Sequence, residues 1–345
     1  IIINAAVIIL LQSGAIRVNS GSLTQGQVVA LYNLMAQILV ELIKMANLFI
    51  TITKSLACAD RVAAVMQLDS GAHGGNKLPA NGSPCGSVEF KNVSFEYKNA
   101  GAEALFDISF FAKPGQTVGI IGGTGSGKST LVNLVPNFYS ATKGQVLIDG
   151  VNADEYDRAA LLSAVSVVPQ KAVLFECTIR SNLLMGNPNA SEAELFAALE
   201  TAQAAEIVRT KPNGIDKPVL RGGSNFSGGQ KQRLSIARAL VHGGRILILD
   251  DSASALDFAT DAKLRAAIRK LSPAPTTFIV SQRAASVMFA DFIIVLDEGR
   301  AVGQGTHEEL LRNCAVYREI YASQFPDEAA KLSIPNNIPE GDAAK

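Results

Sequence analysis

Gly122-Gly123-Thr124-Gly125-Ser126-Gly127-Lys128-Ser129-Thr130 follows an apolar run, Thr117 to Ile121, and leads into Leu131-Val132-Asn133-Leu134. The run reads as a strand and the following residues as the opening of a helix, so the stretch fits the phosphate-loop pattern G-x-x-x-x-G-K-[ST] in its proper context. Glycines let the backbone turn tightly enough for successive N–H groups to point inward at an anion. The helix that follows aims its positive dipole end at the same point. Lys128 would lie along the β- and γ-phosphates of a nucleotide, and the Ser129 hydroxyl would be a Mg²⁺ ligand. The bland alternative is a Gly/Ser-rich loop that happens to hold a lysine. With Gly at roughly 7% of residues, a chance match in a chain this long is on the order of one per cent, and the nucleotide reading is preferred.

The rest of the composition narrows the class. A chain of 345 residues accommodates two or three structural units. Lys and Arg number 31, as do Asp and Glu, so no charge surplus calls for a nucleic acid partner. Cys58, Cys85, Cys177 and Cys314 lack metal or redox spacing and read as small buried hydrophobes of a reducing cytosol. The mean hydropathy of +0.21 is high for a soluble protein, and the excess sits at the N-terminus. Ile1 opens the chain without a basic n-region or cleavage site, which points to a fragment whose upstream part is missing.

Ile1 to Leu11 is almost wholly apolar but shorter than the roughly 20 residues a membrane helix needs, and reads as the end of one. Gln12 to Gly26, rich in Ser, Gly and Asn, reads as an exposed connection. Gln27 to Ile50 is long enough to span a bilayer, with only Glu41 and Lys44 charged. Those two share a helix face; they form either a polar spot on a substrate pathway or an ion pair against a neighbouring helix. Lys54 and Arg61 place the following end in the cytoplasm. Helical periodicity continues to Leu68, so residues 1–68 read as a membrane-domain fragment and 69–86, with Gly, Asn, Pro and Ser, as a linker.

A soluble domain is expected over residues 87–325. Val88 and Phe90, then Val93, Phe95 and Tyr97, alternate as half-buried strands. Gln145 to Ile148, Ser166 to Val168, Ile246 to Leu249, Phe278 to Val280 and Phe292 to Leu296 are further strands, the later ones wholly apolar as in a buried parallel sheet. Ser191-x-x-Glu194 caps a helix expected through Glu206, and Thr306-x-x-Glu309 caps a last helix to about Ser323. Residues 326–345, polar and Pro/Gly-bearing, read as a disordered tail. Strands alternating with helices around a phosphate loop mean an α/β domain with a largely parallel sheet.

Asn225-Phe226-Ser227-Gly228-Gly229-Gln230-Lys231-Gln232-Arg233 resembles the signature of ATP-binding-cassette proteins, and it lies between the phosphate loop and an apolar strand ending in Asp250, in the family's order. The resemblance covers residues 87 to about 324 and, with the upstream span, is to an ABC exporter half-transporter. It implies a P-loop NTPase cassette: a RecA-like parallel-sheet core, an antiparallel β subdomain and a helical signature subdomain, preceded by transmembrane α-helices. It also implies a plasma-membrane location with the cassette in the cytoplasm, an unidentified transported substrate, and ATP and Mg²⁺ as cofactors. Tyr97 matches the aromatic that stacks on adenine, its alternative role being strand packing. Gln170 matches the loop glutamine that touches Mg²⁺ and couples to the membrane part, and Asp250 the aspartate that holds Mg²⁺. Ser254-Ala255-Leu256-Asp257 resembles the D-loop crossing between two cassettes. In such dimers the phosphate loop of one cassette faces Ser227-Gly228-Gly229-Gln230 of the other.

The departures from the pattern carry the finer reading. Hydrolytic sites of the family have Glu where this chain has Asp251, and His where it has Gln282. A general base must reach its water at about 2.6–3.2 Å. One methylene fewer withdraws the carboxylate by roughly 1 Å, an error worth on the order of a hundredfold. Gln282 donates a hydrogen bond but carries no charge and shuttles no proton. A weakened catalytic face beside an intact signature matches one half of a heterodimeric exporter whose partner half-transporter supplies Glu and His. Val219-Leu220-Arg221-Gly222 lacks the glutamate that many exporters have before the Arg-Gly. Two other readings stand beside the heterodimer: a homodimer using Asp251 as a slow base, and a regulatory nucleotide-dependent clamp without transport, which the Gln27 to Ile50 span disfavours.

Overall fold

The structure is a computed structural model and describes residues 2–67, 75–79, 85–98, 100–210, 212–252 and 254–327. Most of the expected linker and all but the start of the expected disordered tail lie outside the described residues. The chain divides into two compact units, Ile1–Gly71 and Ala72–Lys345.

The first unit is a pair of helices, α1 (Ile2–Asn19) and α2 (Gln25–Met66). The connection expected from Gln12 onward is instead helical as far as Asn19. Ala15, Ile16 and Val18 sustain an apolar helix there, and Gly14 allows close approach: a Cβ at that position would lie 2.7 Å from Val28 of α2. The turn is confined to Ser20–Leu23 with Gly21 at φ 76°, and Thr24 and Gln27 form a capping box that starts α2. α2 runs 42 residues without a break. At 1.5 Å per residue that is roughly 63 Å, twice a bilayer's hydrocarbon thickness. Its best 18-residue window has a mean hydropathy of 1.6, and by length and composition it is the one described helix able to cross a membrane. Glu41 and Lys44 pair at 2.8 Å on its exposed surface.

The second unit is built on two sheets. In chain order it runs β1 (Val88–Glu96), β2 (Glu103–Ala112), β3 (Thr117–Gly122), α3 (Lys128–Asn133), β4 (Lys143–Ile148), β5 (Val151–Asn152), α4 (Arg158–Ala164), β6 (Val165–Val168), α5 (Ile179–Leu184), α6 (Glu192–Thr201) and α7 (Ala205–Arg209). It continues with α8 (Gly228–His242), β7 (Ile246–Asp250), α9 (Phe258–Arg269), β8 (Thr276–Ser281), α10 (Ala284–Val287), β9 (Phe292–Asp297), β10 (Arg300–Gly305), α11 (His307–Asn313) and α12 (Ala315–Gln324). One sheet is antiparallel, in the order β2-β1-β4-β5. The other, β10-β9-β3-β8-β7-β6, is parallel except for its edge strand β10.

The apolar runs of the parallel strands are explained by burial on both faces. Ile246 and Ile248 of β7, Phe278 and Val280 of β8, and Ile294 and Leu296 of β9 pack into a core shared with the antiparallel sheet. Their neighbours Leu247, Leu249, Ile279, Ile293 and Val295 pack into a second core with the helices. Alternation is present, but both destinations are dry.

Three further expectations differ from the structure. The two strands read from Val88 to Tyr97 are one strand with a register shift after Phe90, where Asn92 takes φ 48°. The helix expected through Glu206 stops at Thr201, because Gln203 takes φ 55° and turns Ala202, Ala204 and Ala205 into the core. The last helix is two: Cys314 is extended at φ −116°, ψ 111°, and its buried side chain packs where Gly303 leaves no room for a Cβ, the added atom falling 2.7 Å from Cys314 Sγ. β2, β5 and β10 escaped the sequence reading; in β2 the alternation slips at Asp107, which takes φ 47°.

Gly119 in the middle of β3 lets α10 lie directly on the sheet, since a Cβ there would fall 2.8 Å from Val287 Cβ and 3.3 Å from Ala290 Cβ. Gly119→Val should overpack this contact and lower the unfolding free energy by about 1–3 kcal/mol, read from the denaturation midpoint of the detergent-solubilised chain.

Candidate functional site

β3 delivers the phosphate loop at its carboxyl end, the edge where open α/β sheets bind ligands. Gly125 and Gly127 take φ 82° and 94°, conformations that side chains resist. Gly122 admits no side chain, because a Cβ would fall 2.0 Å from the Leu296 carbonyl oxygen of β9. Beyond Gly123 and Gly125, by contrast, an added Cβ meets nothing within 4 Å, so the loop's inner side opens onto free space. Lys128 Nζ folds back under the loop, donating to the carbonyl oxygens of Gly122, at 2.9 Å, and Gly123, and to Ser126 Oγ at 3.3 Å. Burial pulls the Lys128 ammonium below its ordinary range, against the raising effect of Asp251 and Asp250.

β7 ends one strand away from β3, across β8, and supplies the acids. Ser129 Oγ donates to Asp250 Oδ1 at 3.0 Å. Burial lifts the Asp250 carboxyl above its usual range; Asp251 adds to that lift while the Ser129 bond and Lys128 oppose it. Gln170, just past β6, donates from Nε2 to Asp251 Oδ2 at 3.2 Å. Asp251 takes φ 43°, a conformation Asp tolerates better than most residues, and its N–H bonds the Val280 carbonyl at 2.9 Å. Tyr97, at the end of β1, shares a 2.9 Å hydrogen bond between its OH and Thr130 Oγ1 and meets Tyr139 edge-on at 5.3 Å.

These side chains line a cavity of about 390 Å³ that brings together Tyr97, Thr124, Gly125, Gly127, Lys128, Ser129, Thr130, Gln170, Asp250, Asp251 and Gln282. Gly122 and Ser126 are buried and form the loop's base rather than its lining, while Gly123 is exposed beside the cavity without lining it. The sequence reading missed Glu103, Ala104, Glu298 and Gly299, which complete the cavity's lining. Glu298-Gly299 is the tight turn between β9 and β10, with φ 44° and 76°, and a Glu-Gly pair between apolar runs was the available signal. Gly299 is held against β2 by its carbonyl, which accepts from Phe106 N–H at 2.8 Å.

Ser227, Gly228, Gly229, Gln230 and Asp257 do not line the cavity of their own chain. Ser227 is the N-cap of α8: its Oγ accepts from Gln230 N–H at 3.3 Å and its N–H donates to Gln230 Oε1 at 3.1 Å. The N-terminus of this 15-residue helix is exposed at Ser227 and Gly228. Asp257 caps α9 through Thr260 N–H at 2.9 Å and Thr260 Oγ1 at 2.8 Å, bonds that hold its carboxyl below the usual range.

The donor set fits a triphosphate with a hard cation. Open space above a glycine loop receives an anion, a buried lysine lies beneath it, and a hydroxyl and a carboxylate 3.0 Å apart offer oxygen ligands. Among the described residues no cluster of three His, Cys, Asp or Glu forms a metal cage. Mg²⁺ takes one or two carboxylates and completes its shell with phosphate and water, and Ser129 Oγ and Asp250 are the oxygens that would hold it here.

The comparisons agree with this geometry. The ABC transporter family model matches residues 105–254. An uncharacterized ABC transporter ATP-binding protein of Mycobacterium bovis is 40% identical over 327 residues, 93% of this chain and 56% of the relative. The ATP-dependent lipid A-core flippase of Xanthomonas oryzae pv. oryzae is 36% identical over 312 residues, 90% of this chain and 53% of the flippase. A bacterial Atm1-family ABC exporter solved with ATP bound superposes with a TM-score of 0.75 at 34% identity, over 88% of this chain and 53% of the exporter chain. The chain spans little more than half the length of these relatives. With its phosphate loop, its acid pair and its two-sheet architecture, the chain carries the ATP-binding domain of the ABC transporter family.

Proposed function

We propose that this chain is the cassette-bearing part of an ABC exporter, and that it contributes the weaker nucleotide site of a heterodimer. The observation that carries the second half is the placement of Asp251 and Gln282 together on the wall of one cavity, beside a complete set of phosphate-holding groups. Lys128, Ser129, Gln170 and Asp250 hold Mg-ATP; the cation supplies charge neutralisation between the phosphates. Asp251 is one methylene short of the family's base, and its Oδ2 already accepts from Gln170. Gln282 offers a neutral amide where the family has an imidazole. Nucleotide bound here is long-lived and favours the closed pair of cassettes.

Export is supported by two further features. α2 is apolar over a membrane's thickness and has no buried residue within its own unit, so it suits a membrane span packed among helices outside this chain. On the cassette, Phe138, Phe175 and Met185 stand half exposed around a groove floored by Val165, Ala239 and His242, a surface suited to a short cytoplasmic segment of a membrane domain. The proposed setting is a multi-pass protein of the cell membrane with its cassette in the cytoplasm and a second half-transporter as partner. The regulatory alternative lacks a use for α2.

Three measurements test this reading. Lys128→Ala should weaken Mg-ATP binding by on the order of 10- to 100-fold, the worth of a lost charge-assisted contact, in calorimetric titration of the solubilised protein. Equal affinity of the two forms would sink the nucleotide assignment.

The signature of this chain faces the partner's nucleotide in the proposed pair. Ser227→Ala should therefore remove most ATPase activity of the co-expressed heterodimer, while the subunit alone turns over little ATP with or without the change. Brisk hydrolysis by the lone subunit contradicts the pairing.

Asp251→Glu with Gln282→His should raise single-turnover hydrolysis at this site by about a hundredfold when the partner site is disabled. Each single change should do less, since both act on one transition state. An unchanged rate in the double variant would place the asymmetry outside these two residues.

A further inference from the structure

Gln324, the last residue of α12, holds the backbone on both sides of Arg283. Its Oε1 accepts from Ala284 N–H at 2.8 Å, and its Nε2 donates to the Gln282 carbonyl oxygen at 2.8 Å. One partner is a donor and the other an acceptor, so only one orientation of the amide satisfies both, and a glutamine is the natural side chain to do it. We propose that Gln324 is the positioning residue of the switch segment: it fixes where Gln282 stands on the wall of the nucleotide cavity, and so ties the carboxyl end of the cassette to recognition of the terminal phosphate.

The clamp is presented from a rigid support. Tyr317 and Tyr321 of α12 are buried, Tyr317 OH bonds His307 Nδ1 at 2.7 Å, and the ring of Phe325 stacks at 5.0 Å from that of Tyr321. The element it grips is short, buried at Ala284, Ser286 and Val287 but capped locally only by the Arg283 N–H bond to Ser281 Oγ at 3.0 Å. α10 has only four residues, its N-cap Arg283 makes no side-chain capping bond, and Gln282 is exposed. Two hydrogen bonds from outside are therefore a large share of what orders the turn between β8 and α10.

The hold extends beyond the switch itself. Arg283 Nη2 donates to the Ser254 carbonyl at 3.2 Å, and Ser254 Oγ donates to the Asp251 carbonyl at 2.7 Å. A switch segment fixed by Gln324 is thus linked by successive bonds to the backbone of Asp251. Gln282 and Asp251 line the same cavity as Asp250, which accepts from Ser129 beside Lys128, the side on which the terminal phosphates of a nucleotide held by the loop would lie. This last step rests on the nucleotide assignment above; the clamp geometry does not.

The test compares the full chain with its Gln324→Met and Gln324→Glu variants in the solubilised protein. Methionine keeps the length and helix propensity and removes both bonds; glutamate keeps the acceptor for Ala284 N–H and loses the donor. Each bond is worth a factor of roughly 2 to 10. Gln324→Met should weaken Mg-ATP binding about tenfold and Mg-ADP binding less than about twofold, and Gln324→Glu should weaken Mg-ATP at least as much, because its second carboxylate oxygen faces the Gln282 carbonyl oxygen and only the triphosphate reaches that segment. Hydrogen exchange of the 282–286 amides should speed up by about tenfold in Gln324→Met with the melting temperature little changed. Equal loss of both nucleotides, or exchange no faster than in the parent, overturns the proposal. If the parent binds neither nucleotide, the nucleotide assignment fails, and the exchange rates still decide the clamp.

Discussion

The contact on which the site depends is the one that leaves no room at Gly122. β9 runs so close to the end of β3 that the Leu296 carbonyl occupies the place of a side chain there. The chain must leave the sheet at that point with bare backbone, and the glycines that follow turn it over Lys128. The ammonium, drawn inward to the carbonyls of Gly122 and Gly123, holds the loop's shape from beneath. The acids and Gln170 are placed by the same parallel register: β7 ends one strand from β3, across β8, and brings Asp250 to Ser129, and β6 ends next to β7 and brings Gln170 to Asp251.

What the sequence disclosed follows a physical division. The phosphate loop, the apolar strands and the capping boxes at Ser191 and Thr306 are local, and local chemistry is written in adjacent residues. The parallel sheet was legible because strands buried on both faces must be apolar throughout. Glu103 and Glu298 were not legible as lining residues: they belong to β2 and a hairpin turn that meet the loop only once two sheets have packed together. Gln324 was equally silent, since its partners lie about forty residues earlier and the contact exists only when α12 docks on α10.

The misread elements share a cause. Each break, at Gln203 and at Cys314, and each strand irregularity, at Asn92 and Asp107, occurs where backbone leaves its expected region without glycine or proline to announce it. At Gln203 the burial of Ala202, Ala204 and Ala205 offsets the local cost, and in the strands Asn92 Nδ2 donates to Asp107 Oδ1 at 2.9 Å. Asp251 belongs to this set: its positive φ suits an aspartate better than a glutamate, so the backbone at the end of β7 and the shortened carboxylate are matched to each other.

The cap of α8 has a consequence for its own chemistry. Ser227 Oγ accepts from the Gln230 N–H and keeps its hydroxyl hydrogen as a donor. The exposed end of the helix therefore carries no formal charge of its own and offers N–H and O–H donors to an anion. An aspartate in the same place would cap the helix equally well and reverse that polarity, so the durability of α8 and the sign of the charge it welcomes are set by different atoms of one side chain.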